Sequence, residues 1–112
     1  MQRRSRALKT DKTLTYLGLA AAKRSVVVGT DLVLREIRKQ KGTMCVLLAS
    51  DASERTKKQI TDKCTYYNIP LIFSGVDMEE LSKRVGKISP TACAAVTDRG
   101  LALQIVKCST GE

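Results

Sequence analysis

Histidine and tryptophan are absent from this 112-residue chain, which holds only two prolines, three tyrosines and one phenylalanine. Each shortage excludes something. Without histidine there is no Ser-His-Asp or Cys-His arrangement for nucleophilic catalysis, and zinc loses one of its usual ligands. The cysteines, Cys45, Cys64, Cys93 and Cys108, include no Cys-x-x-Cys pair, so neither a metal site nor a disulfide framework is expected. Cys45 and Cys93 lie inside apolar runs and Cys64 on the apolar side of a predicted helix, a pattern of buried small hydrophobes. Tyr16, Tyr66, Tyr67 and Phe73 sit mostly at core-like positions and make no stacking platform for single-stranded bases. Glycine-rich phosphate loops of the nucleotide-binding types are missing. No apolar run approaches the roughly 18 residues needed to cross a bilayer. The start, MQRRSRALKTDK, is basic with no apolar segment after it, so a secretory leader is not expected and the cytoplasm is the expected location.

What is abundant is positive charge, and it is unevenly placed. The net charge is +9, and residues 1–41 carry +8 of it, with eleven Lys and Arg against Asp11, Asp31 and Glu36. A basic block of this kind meets polyanions, because each phosphate contact by Lys or Arg releases condensed counterions. A solvated, soluble surface is the plainer reading.

Apolar patterning gives the fold class. Hydrophobic residues make up 43% of the chain, enough for one packed domain. Residues 1–10 read as a basic flexible N-terminal arm, and 11–112 as a single domain. Leu14, Leu17, Gly18 and Ala21 recur at helical spacing, with Gly18 read as a point of close packing. Val26, Val27 and Val28 form a short buried strand ended by Gly29, and Thr30 is the expected N-cap of the next helix, which Gly42 ends. MCVLLAS is a second apolar strand. Asp51 and Glu54 then show capping-box spacing ahead of a helix that places Ile60, Cys64 and Tyr67 on one face and stops at Asn68 and Pro70. LIF is a third buried strand. Asp77 and Glu80 repeat the capping spacing, Leu81 and Val85 face the core, and Gly86 closes that helix. TACAAV is a fourth strand. The last segment, with Leu101, Leu103, Ile105 and Val106, fits either helix or strand. Continuously apolar strands between helices predict an α/β fold: a three-layer α/β/α sandwich around a central mixed sheet of about four strands.

Residues 29–41, GTDLVLREIRKQK, carry the strongest functional signal. On a helical wheel Val33, Leu34 and Ile37 face a core, while Asp31, Arg35 and Lys39 fall opposite, with Leu32 among them. A glycine lets backbone approach a phosphate closely, and the helix start behind it offers free N–H groups and a positive dipole end. Lys23 and Arg24 lie just before the strand that leads in. An ordinary capped amphipathic helix with an outward basic face accounts for the same pattern, and both readings stand. The carboxylate pairs at 51/54 and 77/80 are explained by capping, although Asp51 and Ser74 at strand ends keep a small-ligand site in view.

GTDLVLREIRK, together with LGLAAAKRSVVVGTD, LLASDASERTKKQITDKCTYYNIPL and ACAAVTDRG, resembles the kink-turn-binding ribosomal proteins (the L-seven-Ae superfamily), in its bacterial YlxQ-like branch. The likeness covers roughly residues 12–106. It implies a protein that binds RNA internal loops whose tandem sheared G·A pairs bend the duplex sharply. In that family Gly-Thr-Asn-Glu opens the recognition helix and a Lys follows one turn later. Gly29 and Thr30 match, Arg35 keeps the positive charge, Asp31 stands for the Asn and Leu32 for the Glu. Leu32 cannot accept hydrogen bonds from a guanine edge and Asp31 cannot donate. Each lost base contact costs on the order of 1–3 kcal/mol. A second family surface corresponds to the loop with Lys87, Ile88, Ser89, Pro90 and Thr91, which packs against the bulged nucleotide. A strand-entry turn fixed by Pro90 is the alternative.

The expectation is therefore a non-enzymatic RNA-binding protein without cofactor or metal. It recognises and stabilises kink-turn or related bent RNA, ribosomal RNA among the candidates. A ribosome- or translation-linked role follows from the resemblance, and a monomer is expected. The alternatives are a looser basic ribosome or structured-RNA-binding module that does not read the G·A pairs, a small-ligand protein working near Asp51, and a protein adaptor anchored by Leu32.

Overall fold

A computed structural model describes the backbone of residues 2–39 and 45–110 and the side chains of 12–39 and 45–108. The expected helix end at Gly42 lies outside the described residues. Five helices alternate with four strands: α1 (Gln2–Ala22), β1 (Val26–Val28), α2 (Thr30–Arg38), β2 (Cys45–Leu48), α3 (Glu54–Tyr66), β3 (Leu71–Phe73), α4 (Met78–Arg84), β4 (Cys93–Val96) and α5 (Arg99–Thr110). The backbone of residues 2–10, read from sequence as an arm, continues α1. The last segment is a helix, which settles the ambiguity at 99–110.

The sheet order is β1-β4-β2-β3, with β2 and β3 parallel and β4 antiparallel to both β1 and β2. Alternation along the central strands divides the core in two. Cys45, Leu47, Ala94 and Val96 meet α1, α4 and α5 through Leu14, Leu17, Leu81, Val85 and Ile105. Val46, Leu48, Cys93 and Ala95 meet α2 and α3 through Val33, Leu34, Ile37, Ile60 and Cys64. This is the three-layer sandwich that continuous apolar strands require, since both faces of β2 and β4 are covered. Each large side chain withdrawn fully from water there, such as Ile37 or Leu47, contributes about 1.5–3 kcal/mol of transfer free energy.

Three helices end in the same device. Arg24, Asn68 and Gly86 adopt positive φ (59°, 56° and 75°). In each case the next amide reaches back to the last turn: Ser25 N–H to Ala20 at 2.8 Å, Ile69 N–H to Cys64 at 2.8 Å, Lys87 N–H to Ser82 at 2.8 Å. This is the Schellman arrangement, which favours Gly or Asn at the left-handed position. An arginine there is the exception.

Four details depart from the sequence reading. The N-cap of α3 is Ser53, whose Oγ accepts from Thr56 N–H at 3.1 Å. Asp51 instead crosses to α4 and accepts from Met78 N–H at 2.8 Å. Asp77 caps α4 as expected, accepting from Glu80 N–H at 2.9 Å. Strand β3 is an edge strand in which only Ile72 is buried, so Phe73 is exposed, as is Tyr66. Leu103 also faces outward. Gly18 is not a tight contact: a methyl group there would meet the Arg84 carbonyl at 3.8 Å, an ordinary separation.

Candidate nucleic-acid interface

The site is built where β1 turns into α2. Val28 ends the strand, and Gly29 makes the turn with φ 100° and ψ 145°, a conformation that L side chains rarely adopt. Its N–H donates to the Cys93 carbonyl at 3.1 Å and its carbonyl accepts from Val33 N–H at 2.9 Å. The turn is therefore tied to β4 below and to its own helix above. Gly29, rather than Thr30, is the N-cap, and no side chain caps the helix. Thr30 is the first helical residue, and its side chain bonds instead to the Cys93 thiol. Among the described residues the amides of the first turn consequently have no side-chain acceptor, which is the arrangement that favours an incoming anion. Asp31 and Leu32 are exposed, Leu32 by half.

The loop 86–92 stands beside this tip. Its base is pinned: Thr91 is buried and its N–H donates to the Met78 carbonyl at 3.2 Å. Its crest is free, with Ile88 fully exposed. Between loop and tip lies an open depression of about 460 Å³, bounded by Val28 and Gly29 on one side and by Lys87, Ile88, Ser89 and Pro90 on the other. The two regions singled out from sequence are thus neighbours, although 57 residues separate Gly29 from Gly86.

A second groove of about 500 Å³ runs along β1 past α2. Leu32 and Arg35 line it from α2 and Lys39 from the C-cap of that helix, with Arg24 and Lys87 from elsewhere. Arg35 has no ion-pair partner among the described residues, whereas Lys39 pairs with Glu36 at 3.3 Å. Lys23 is not part of this lining; its ammonium bonds to Asp98. That bond, reinforced by the Leu101 N–H at 2.8 Å, holds the Asp98 carboxyl below the usual carboxylate range. Sequence reading missed the pairing of Asp98 with Lys23, the place of Val85 and Glu36 in the groove lining, and the left-handed backbone of Arg24. Nothing local in the sequence marks any of them.

The remaining candidates are absorbed by structure. Asp51 serves α4, and the buried Ser74 hydroxyl donates to the Val76 carbonyl at 3.3 Å, so neither strand end presents an unused catalytic group. Burial pushes the thiol of Cys45 up to about 12 and those of Cys64 and Cys93 to about 11, away from thiolate chemistry. No cluster of potential metal ligands occurs among the described residues, and no helix among them is long and apolar enough to cross a membrane.

Comparison with known proteins agrees with this fold. Residues 11–106 match the ribosomal protein L7Ae/L30e/S12e/Gadd45 family. A Bacillus subtilis protein named RNA-binding protein YlxQ is 43% identical over 91 residues, covering 80% of this chain and 87% of the relative. An Enterococcus faecium protein of the same name is 34% identical over 91 residues, covering 81% and 84%. A solved structure from Bacillus halodurans superposes with TM-score 0.80 at 31% identity over 88% of this chain and 96% of that one. The Giardia lamblia 15.5kD RNA binding protein shares the fold, with TM-score 0.75 at 16% identity over 91% and 85%.

Proposed function

From the premise that the chain belongs to the ribosomal protein L7Ae/L30e/S12e/Gadd45 family, in its bacterial YlxQ-like branch, we propose that it is an RNA-binding protein, not an enzyme, that recognises kink-turn or related bent RNA. The observation that carries this reading is the tip of α2: no side chain caps it, Asp31 and Leu32 beside it are exposed, and it adjoins the loop 86–92. Phosphate oxygens meet the first-turn amides, Arg35 and Lys39 supply charge, and Ile88 and Pro90 cover an extruded base. Binding is by capture: the bent RNA is a minor state whose population rises because the protein prefers it. A place in ribosome-linked or other translation ribonucleoproteins, in the cytoplasm and as a monomer, belongs to the same proposal.

Asp31 and Leu32 favour a second reading, in which the basic face holds structured RNA without reading G·A pairs. Titration against a kink-turn and a straight duplex of equal length, across a salt series, separates the two. The first reading expects the kink-turn to bind at least tenfold more tightly and to keep part of that preference at high salt. Equal affinities that fall together with salt refute it, because such binding is counterion release alone.

A further inference from the structure

The β1–β4 ladder decides which backbone groups of β1 are used. Register pairs Val26 with Val96, Val27 with Ala95 and Val28 with Ala94. The flanking bonds, Thr97 N–H to Ser25 carbonyl at 2.8 Å and Gly29 N–H to Cys93 carbonyl at 3.1 Å, make 25, 27 and 29 the hydrogen-bonded positions. In an antiparallel pair the alternate residues turn their groups the other way. Hence the N–H and C=O of Val26 and Val28 point away from the sheet, into the groove of about 500 Å³. They have no partner among the described residues, and β1 is the end strand of the sheet.

We propose that this open edge of β1 docks an extended, acidic peptide segment of a partner protein, which adds as a further strand beside Val26–Val28. Three features select this occupant. First, the edge offers two donors and two acceptors at the repeat of a strand, about 6.6–6.8 Å per two residues. A polypeptide backbone answers both kinds of group, whereas phosphate groups supply only acceptors. Second, the walls are basic: Arg24, Arg35, Lys39 and Lys87 face the groove against Glu36 alone. Third, exposed Leu32 sits on the α2 wall and Ala21 and Val85 on the opposite one, so side chains alternating to either side meet apolar contacts. Positive φ at Arg24 and Gly29 bends the chain at both ends of β1, which confines the pairing to a short stretch. Leu32, Arg35 and Lys39 are shared with the proposed RNA face, so peptide and RNA compete, but the docking stands independently of the RNA reading.

The test is selection of random ten-residue peptides displayed on phage against the full chain, followed by synthesis of the consensus peptide. Acidic peptides with alternating apolar residues are expected. Saturation with the synthetic peptide slows amide hydrogen exchange at Val26 and Val28 at least tenfold. Methylating its central backbone nitrogen weakens binding at least tenfold, and so does Val28→Pro, which removes one outward N–H without touching the β4 ladder. Should Val28→Pro fail to fold, the exchange and N-methyl measurements on the unaltered protein carry the test. The proposal is overturned if no acidic consensus emerges, if the bound peptide leaves both amides exchanging as before, or if a kink-turn RNA slows them and no selected peptide does. The kink-turn against duplex titration reads the RNA function separately.

Discussion

Replacing Gly29 by alanine tests the whole construction of the α2 tip. The structure leaves room for the added methyl, since nothing lies within 4 Å of its position. The cost is conformational: φ 100° with ψ 145° is a region essentially restricted to glycine, and holding an L-residue there costs about 1–3 kcal/mol. The backbone has little freedom to escape, because the Gly29 N–H is tied to Cys93 and its carbonyl to Val33. At about 2.1 cal/mol/K of unfolding entropy per residue, a loss of about 1–3 kcal/mol lowers the unfolding midpoint by roughly 4–13 °C in a chain of 112 residues. Urea denaturation with an unchanged m-value reads the stability, and RNA affinity is expected to fall with it as the first-turn amides are re-aimed. Ligation at the Met44–Cys45 junction allows D-alanine at position 29, whose mirror-image preference includes positive φ. It recovers most of the lost stability while keeping the same methyl. An L-alanine variant within about 0.5 kcal/mol of the parent, or a D-alanine variant no better than the L form, refutes the reasoning.

Three further outcomes are expected. Arg35→Glu, on an exposed face with no ion pair to break among the described residues, leaves thermal unfolding unchanged, weakens kink-turn binding at least tenfold and lowers the salt slope by about one; unaltered affinity removes the proposed face. Asp98 is held below its ordinary pKa by Lys23, so its contribution to stability is full above the usual carboxylate range and is lost as pH falls through its lowered value; the stability gap between parent and Asp98→Asn is therefore constant near neutrality and closes in acid, and a gap that widens in acid contradicts the assignment. Gly18→Ala, inside α1 with room for a methyl, raises stability by about 0.5–1 kcal/mol, and a destabilised variant shows that the helix contact with α4 is tighter than drawn.

Physical scale separates what was legible in the residues from what was not. Asp77 was correctly placed because a cap and the amide it serves lie three residues apart. Asp51 had the same spacing to Glu54, yet its oxygen found Met78, 27 residues away, and nothing short-range distinguishes the two aspartates. Thr30 suits an N-cap by residue type, but the positive φ of Gly29 moved the cap back by one. Phe73 and Tyr66 look like core residues until β3 is found at the edge of the sheet.

The sequence by itself determined the layers. Apolar strands buried on both faces and helices with one apolar stripe have only the sandwich as a solution, because every such surface must leave water. It also determined that the tip of α2 carries glycine, exposed leucine and arginine. The tertiary structure alone decided that the loop 86–92 stands beside that tip, that Lys23 is held by Asp98 across 75 residues, and that β1 ends the sheet with its outward amides unpartnered among the described residues. Those are consequences of strand order and register, which depend on every element packing at once and leave no mark at any single position.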